Sequence, residues 1–380
     1  MSKISMIDFA PPSMGLAEEE AVLQVLRSRW LSSGKHVEAL EQAIEALVGR
    51  RAYATSSATM GFQALLLALG VGPGWKVCFP TVTFSGVPMQ AFIMGATVQF
   101  VDIDENGFME IPPDWNSAAK QIVVPTHLAG AVTSIPTIQA QIDASLLIED
   151  CAHLYPGFRS NSYVAGACTN SDYSIFSFYP TKCVATAEGG AVTVAHDLSM
   201  MSARLHGFDR DSASRHATNG GPNAYDVVSL GTKANMSDVV AAIAQVQLKR
   251  REELHKRRSL AASWYIERLA SSSIQVLHSD QRIAGQHAEH LMIVRFPSHS
   301  DRNAHATRLR DERIGTSLHF QSLHTLSFWR DHIEAGKVEV FGNLLNAESY
   351  AQCSLSLPLF PDISKSQVDR ICDILLKSTK

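Results

Sequence analysis

The sequence has few cysteines, no excess of charge of either sign and no long apolar run. The 6 cysteines among 380 residues are scattered and form no C-x-x-C pair, so neither a zinc site nor a dithiol redox site is indicated. With 33 Lys and Arg against 37 Asp and Glu, the chain lacks the basic character of a nucleic-acid-binding protein. No apolar stretch is long enough to span a bilayer and no signal peptide pattern follows Met1, so we expect a cytoplasmic protein with no membrane partner.

Short β-rich runs alternate with helical patterns from about residue 40 to residue 194. The runs that we predict to be buried strands are 76–79, 98–101, 121–124, 146–148 and 173–176. This alternation predicts an α/β fold with a largely parallel sheet covered by helices on both faces. Ligands of such sheets bind beyond the carboxyl ends of the strands, which is where we look for chemistry.

The second part of the chain begins with a long helical pattern over residues 237–269. Its charged middle, residues 249–258, is predicted to be a solvated helix face without a ligand role. Shorter strand-like and helix-like pieces follow and end in an amphipathic helix over 365–376. We therefore predict a large α/β domain over residues 1–250 and a small α+β domain over residues 251–380.

Small hydroxyl residues precede an apolar helical stretch in segment 54–61, Ala-Thr-Ser-Ser-Ala-Thr-Met-Gly. A helix that begins there directs free N–H groups and the positive end of its dipole at one place, which suits an anion such as phosphate. Ordinary N-capping by Ser57 or Thr59 explains the same residues. The segment leaves both interpretations open.

A predicted strand ends in two carboxylates and a histidine, namely Glu149, Asp150 and His153. A carboxylate at the buried end of a strand needs a cation or hydrogen bonds, because an unpaired buried charge is costly. A protonated ring nitrogen is one such cation, and an aspartate that caps the next helix is the structural alternative.

Lys182 lies between the aromatic strand at 174–179 and the Gly-Gly strand start at 189–190. Burial between such segments lowers the pKa of an amine and makes a neutral nucleophile available for Schiff-base chemistry. A lone lysine is most often a surface residue, but these neighbours favour a buried one.

Together, the three segments resemble the DegT/DnrJ/EryC1/StrS family of pyridoxal-phosphate-dependent sugar aminotransferases. The likeness rests on a Ser-Ser-x-Thr helix start, a Glu-Asp-x-Ala-His strand end and a Phe-Ser-Phe-x-x-x-Lys motif followed by Glu-Gly-Gly, in that order. Further matches cover nearly the whole chain: 28–34, 80–84, 126–130, 231–238, 318–324 and 355–361. Within the family, the motifs are most similar to those of the branch that makes UDP-4-amino-4-deoxy-L-arabinose, but Ala234 stands where an aromatic residue is usual.

The resemblance implies fold type I, with helices on both sides of a mostly parallel central sheet. It implies that Lys182 binds pyridoxal 5'-phosphate (PLP) as a Schiff base and moves protons, that Asp150 pairs with the pyridine nitrogen and that His153 lies near the 3'-oxygen. Phe84 would stack on the ring. The implied phosphate contacts are Ser57, Ala58, Thr59, Ser177 and, from the second subunit of a homodimer, Asn235. The implied substrate-binding residues are Trp30, His319 and His324.

The reaction that the resemblance implies moves an amino group from L-glutamate, which leaves as 2-oxoglutarate, to a nucleotide-linked 4-keto sugar for cell-envelope polysaccharide or lipid. Candidates for the nucleotide diphosphate, by position only, are Arg29, Lys35 and Arg210. The alternatives are amination at C3 and a non-catalytic binding or regulatory protein with the same fold. Sugar 3-dehydratases on this scaffold carry histidine in place of Lys182, and a Ser/His/Asp hydrolase needs a Gly-x-Ser-x-Gly motif that the sequence lacks. No metal site is implied.

Overall fold

The computed structural model describes residues 5–113, 115–116, 120–142, 145–196, 198, 200–209 and 225–377. Its strands are β1 Arg51–Thr55, β2 Lys76–Pro80, β3 Thr97–Val101, β4 Gln121–Val123, β5 Leu146–Asp150, β6 Arg159–Ser160, β7 Tyr163–Val164, β8 Tyr173–Ser177, β9 Gly190–Val194, β10 Gln275–Val276, β11 Met292–Arg295, β12 Val338–Val340 and β13 Ser354–Leu357. Its α-helices are α1 Leu16–Ser28, α2 Lys35–Val48, α3 Ala58–Ala68, α4 Gly86–Ile93, α5 Ile135–Gln139, α6 Met200–Ala203, α7 Asp238–Leu269, α8 Ser279–Ile283, α9 His299–Asp311, α10 Ser327–Glu334, α11 Leu345–Cys353 and α12 Lys365–Leu376.

Eight strands form one large sheet in the order β1-β9-β8-β5-β4-β2-β3-β12. β9 is antiparallel to β1 and β8, and every other neighbouring pair is parallel. β1, β8 and β5 therefore end at the same edge of the sheet, where β9 begins. The five predicted strands are all present, as β2, β3, β4, β5 and β8, and the mostly parallel α/β prediction is confirmed.

Apolar residues are buried on both faces of the large sheet because side chains alternate along each strand. On one face, Val77 and Phe79 of β2 pack in a cluster with Phe62 of α3. On the other face, Cys78 of the same strand packs in a separate cluster with Ile135 of α5. The large sheet is therefore covered by buried apolar side chains on both faces.

A smaller antiparallel sheet, β10-β11-β13, packs on the carboxyl-terminal half of α7 and on α12. α7 begins with Ser237 as its N-cap and runs for 32 residues, as the helical pattern predicts. β12 comes from the late part of the chain yet pairs with β3 of the large sheet, and Trp329 packs edge-on against Phe100 at 5.3 Å. The domain boundary at residue 250 stays a prediction. Among the described residues, no helix has both the length and the apolar character that a membrane crossing requires.

Candidate active site

A cavity of about 450 Å³ opens at the carboxyl edge of the large sheet. The residues that line it come from the starts of α3 and α4, from the ends of β5 and β8 and from the loops that follow β4, β5, β8 and α9: Ser57, Ala58, Thr59, Phe84, Val87, Thr126, Asp150, Ala152, His153, Ser177, Tyr179, Thr181, Lys182, Glu188, His319 and Phe320. Nine of the predicted site residues are in this set. The structure therefore brings together the three segments that the sequence singles out.

The amino-terminal end of α3 forms one wall of the cavity. The Ser57 side chain caps the helix by accepting a hydrogen bond from the Met60 N–H at 3.1 Å. The N–H groups of Ala58 and Thr59 lie in the first turn, where a helix has no internal acceptors. A Cβ on Gly190 would lie 2.5 Å from the Ala58 nitrogen, so only glycine lets β9 approach this turn. The result is a cradle of N–H groups and hydroxyls that suits an anion.

Asp150 ends β5 with its side chain buried at the cavity wall. One carboxylate oxygen accepts a hydrogen bond from the Ala152 N–H at 3.0 Å. Burial raises the pKa of Asp150, although the Ala152 N–H, the Lys182 amine and His127 act in the opposite direction. A carboxylate in this state is stabilised by any cation that enters the cavity next to it.

Lys182 follows β8 and extends its amine into the same cavity. Burial lowers the pKa of the amine to about 8, while Asp150 and Cys183 act to raise it. The residue as a whole is half-buried, and its amine is the part that is removed from water. About a tenth of the amine is neutral at about pH 7, a far larger fraction than in an ordinary lysine, and the neutral form is the one that a nucleophilic amine requires.

We predict that the cofactor-free protein reacts with aldehydes at Lys182 with a pH midpoint of about 8. The neutral fraction of such an amine rises about tenfold between about pH 7 and about pH 9 and then levels off, whereas an ordinary lysine continues to gain reactivity above that range. Reductive trapping of a small aldehyde at Lys182, quantified by peptide mass spectrometry against Lys76 as an internal reference, measures this midpoint. A midpoint near the ordinary value for a lysine, about 10.4, would contradict the prediction.

Three aromatic side chains that line the cavity are His153, Phe320 and Phe84. His153 is buried, and its Nδ1 accepts a hydrogen bond from the Ala129 N–H at 3.0 Å, which assigns the ring proton to Nε2. Burial holds the pKa of His153 well below its usual value, so the ring is a neutral donor. Phe320 stacks on this imidazole with centroids 5.8 Å apart. Phe84 is 55% exposed and also lines the cavity.

The loop around Gly130 contacts both His153 and the buried segment 289–291. Ala129 donates to His153 and accepts a hydrogen bond from the Leu291 N–H at 3.0 Å. Gly130 has φ of +110°, and a Cβ there would lie 3.0 Å from the backbone nitrogens of both Glu289 and His290. Only glycine permits this close approach.

We predict that Gly130→Ala lowers the free energy of unfolding by about 3 kcal/mol, since it adds both backbone strain and a steric clash. Gly49 is the matched control, because it has φ of +69° and no atom within 4 Å of an added Cβ. Gly49→Ala should cost about 1 kcal/mol from backbone strain alone. Urea unfolding of both variants checks the difference, and equal losses would show that the close approach at Gly130 contributes nothing.

Behind Asp150, a buried polar network fixes the end of β5. Glu149 accepts hydrogen bonds from Tyr163 at 2.6 Å, from Ser171, and from His127 at 2.8 Å. Burial alone would raise the pKa of Glu149, but the hydrogen bonds from His127, Ser171 and Tyr163 outweigh it and lower the pKa. His127, Glu149 and Cys151 could together supply metal ligands, yet the Glu149 carboxylate is already used by these protein donors. The network therefore fixes the end of β5, and we assign it no role in binding a ligand.

Several predicted site residues lie outside this cavity. His324 binds Thr81 through Nδ1 at 2.9 Å and Glu348 through Nε2 at 3.2 Å. The Asn235 amide donates to Ser33 at 2.7 Å, and the Trp30 indole donates to the Ser33 carbonyl at 3.1 Å. Arg29 and Lys35 are exposed near Trp30, and Arg210 lies outside the described residues.

Seven of the residues that line the cavity were not predicted as site residues, and two buried side chains beside it were also missed. His290 is buried, with its Nε2 3.5 Å from the Lys182 amine. Arg258 is also buried and donates to the Lys182 carbonyl at 3.3 Å, so the prediction of a wholly solvated charged face over 249–258 is wrong at this position. The signal for Arg258 was its place beside the apolar repeat of the helix, whereas nothing in the sequence placed His290 near Lys182.

Comparison with known proteins gives one family and one group of structures. A family model described as the DegT/DnrJ/EryC1/StrS aminotransferase family matches residues 12–376. Spr1654 from Streptococcus pneumoniae, described as a sugar aminotransferase and solved in its PLP form, has a TM-score of 0.83 and 25% identity over 98% of each chain. DesI, solved in the presence of its TDP-sugar product, has a TM-score of 0.80 and 27% identity over 98% of this chain and 92% of that chain. PseC from Helicobacter pylori, an aminotransferase of pseudoaminic acid biosynthesis, has a TM-score of 0.86 over 98% of this chain and 99% of that chain, and at 20% identity supports the fold alone.

Proposed function

Because the chain belongs to the DegT/DnrJ/EryC1/StrS aminotransferase family, we propose that it transfers an amino group from L-glutamate to a nucleotide-linked 4-keto sugar. Enzymes of this family use PLP, and the chain is a PLP-dependent aminotransferase. The observation that carries the proposal is that the Lys182 amine and the Asp150 carboxylate face one cavity, beside the amino-terminal end of α3.

The residues around the cavity fit PLP by their chemistry. The first turn of α3 offers N–H groups and hydroxyls for a phosphate, and Ser177 is the hydroxyl that ends β8 beside it. Asp150 is a buried carboxylate whose burial favours the proton-bound form unless a cation is near, which a protonated pyridine nitrogen would supply. When bound, PLP supplies an electron sink for a carbon that loses a proton.

Each side chain has a distinct role in this proposal. Lys182 would attach the cofactor and, once its amine is free, would take up and return a proton at Nζ. Asp150 would keep the ring nitrogen protonated, and His153 would donate from Nε2 towards the 3'-oxygen. Phe84 would cover one ring face. Ser57, Ala58, Thr59 and Ser177 would hold the phosphate group.

A homodimer with shared sites is part of the proposal. Asn235 lies outside the cavity of its own chain, next to Ser33 and close in sequence to the start of α7. We propose that Asn235 contacts the cofactor phosphate in the active site of a second copy of the chain, as the family resemblance implies. Trp30 would contribute in the same way, whereas His319 lines the cavity of its own chain.

The nucleotide-linked sugar is supported by DesI, whose structure was solved with a TDP-sugar product. We propose that the exposed cations Arg29 and Lys35, with Arg210, bind the nucleotide diphosphate, and that His324 contributes to substrate binding. The product would serve cell-envelope polysaccharide or lipid.

The test is incubation of the purified enzyme with PLP, L-glutamate and a panel of TDP-linked and UDP-linked 3-keto and 4-keto sugars, followed by mass spectrometry of the products. Formation of 4-amino sugars supports the proposal, and formation of 3-amino sugars alone overturns the assigned carbon. If 2-oxoglutarate forms but no sugar is aminated, glutamate is the donor and the sugar assignment is wrong.

A further inference from the structure

The Lys182 amine contacts a buried imidazole for which the sequence suggests no role. Its Nζ lies 3.5 Å from Nε2 of His290, at the long end of the hydrogen-bond range. His290 is 1% exposed. We propose that His290 is a positioning residue for Lys182, which holds the free amine in the cavity through an Nε2–H···Nζ hydrogen bond that favours the neutral amine. This inference rests on the role proposed above for Lys182.

The other nitrogen of His290 decides the direction of the hydrogen bond. Nδ1 is buried and has no hydrogen-bond partner among the described residues. A buried N–H without an acceptor is rarer in proteins than an acceptor without a donor, so the proton is better placed on Nε2. Nε2 then donates, and the Lys182 amine must offer its lone pair. An ammonium group cannot do so, and the contact therefore selects the neutral amine.

The groups around the amine leave His290 as a neutral donor. The titratable side chains that interact electrostatically with the Lys182 amine or with His290 are Asp150, His153, Cys183, Arg258 and His319. Burial, followed by the charge of Lys182, holds the pKa of His290 well below its usual value. Burial and Lys182 also lower the pKa of His319, to about 4. A proton that enters this cluster is therefore carried by Lys182 or by Asp150, and not by an imidazole.

The Arg258 side chain fixes the backbone of both residues in the Lys182–His290 contact. The Arg258 guanidinium donates to the Lys182 carbonyl at 3.3 Å and to the His290 carbonyl at 3.4 Å. The Cys183 thiol also lies 3.4 Å from the Ala288 carbonyl. The lysine loop and the segment that carries His290 are thus joined at two further points, which distinguishes this contact from the chance approach of a flexible lysine.

The test measures the pH midpoint of Lys182 acetylation by acetic anhydride in the full-length, cofactor-free protein, from about pH 6 to about pH 11, by peptide mass spectrometry. His290→Phe keeps a buried ring and removes both nitrogens, so the midpoint should rise by about 0.7 pH units. His290→Gln retains an N–H donor with similar reach and should return the midpoint towards that of the wild type. An unchanged or lower midpoint in His290→Phe would overturn the proposal.

Two further variants separate a local effect from a loss of folding. His305 is a buried histidine of α9 that stacks on Phe296 and lies far along the chain from Lys182. His305→Phe should leave the midpoint unchanged, and an equal shift would show that the effect is global and overturn the proposal. If His290→Phe does not unfold cooperatively, His290→Asn replaces it, because its shorter amide cannot reach Nζ and should raise the midpoint relative to His290→Gln. Since acetylation is measured without cofactor or substrate, the proposed function and this inference can fail separately.

Discussion

Replacement of Lys182 by alanine is expected to reduce amino transfer by at least about 10⁴-fold, because the variant loses both the nucleophile and the group that moves the proton. No other lysine lines the cavity among the described residues. The absorbance band of the lysine-bound cofactor should also disappear. Product formation measured by mass spectrometry and a visible absorption spectrum of the PLP-treated protein check the two effects.

Lys76 is a suitable control for that variant. It lies at the amino end of β2, at the opposite edge of the sheet, where its amine binds Glu339 at 3.1 Å. Lys76→Ala should keep both the activity and the absorbance band. Persistence of the band in Lys182→Ala would show that PLP is attached elsewhere and would remove the basis of the proposed function.

Asp150→Asn is expected to separate activity from stability. The amide keeps the shape of the side chain but carries no charge, so amino transfer should fall by about 10²- to 10³-fold. The cofactor-free protein should be as stable as the wild type or more stable, because burial of the Asp150 carboxylate is unfavourable without a cation. Enzyme assays and urea unfolding of the cofactor-free protein measure the two quantities.

The difference in stability between Asp150→Asn and the wild type should change with pH in a definite direction. The pKa of Asp150 is raised in the folded protein, so folding favours the protonated carboxyl, and the cost of the buried charge is present at neutral pH. This unfavourable free energy should decrease as the pH falls below the pKa of Asp150 in the folded protein, and it should vanish where the Asp150 carboxyl is also protonated in the unfolded chain. The stability of Asp150→Asn relative to the wild type should therefore decrease on acidification.

Asp102 provides the control, since it also follows a parallel strand but accepts hydrogen bonds from Ile103 and Ala347 instead of facing the cavity. Asp102→Asn should leave the activity close to that of the wild type. An equal loss of activity in the two variants would contradict a specific electrostatic role for Asp150.

The parts of the site that lie at strand ends could be predicted from the sequence. Asp150 and Lys182 follow apolar strands whose length and composition are clear, and parallel strands bring their carboxyl ends to one edge. Ser57 is recognisable because a hydroxyl residue before an apolar helical run is an N-cap. Local sequence patterns are therefore sufficient to place these residues.

The residues that sequence reasoning missed depend on long-range packing. His290 is separated from Lys182 by 108 positions, and no periodicity relates them. Arg258 belongs to a charged run in which its neighbours are partly or fully exposed, yet tertiary contacts bury this one guanidinium against backbone carbonyls. A single charge can be buried in this way because carbonyl oxygens replace its water.

The position of β12 limits how this protein can be divided by engineering. The strand covers the outer edge of β3, and Trp329, which precedes it, fills a gap beside Phe100. A fragment that stopped at residue 250 would leave an open strand edge and an unfilled apolar hollow, both of which favour self-association. Fusion partners and affinity tags are therefore better attached at the ends of the whole polypeptide than at the junction between its two sheets.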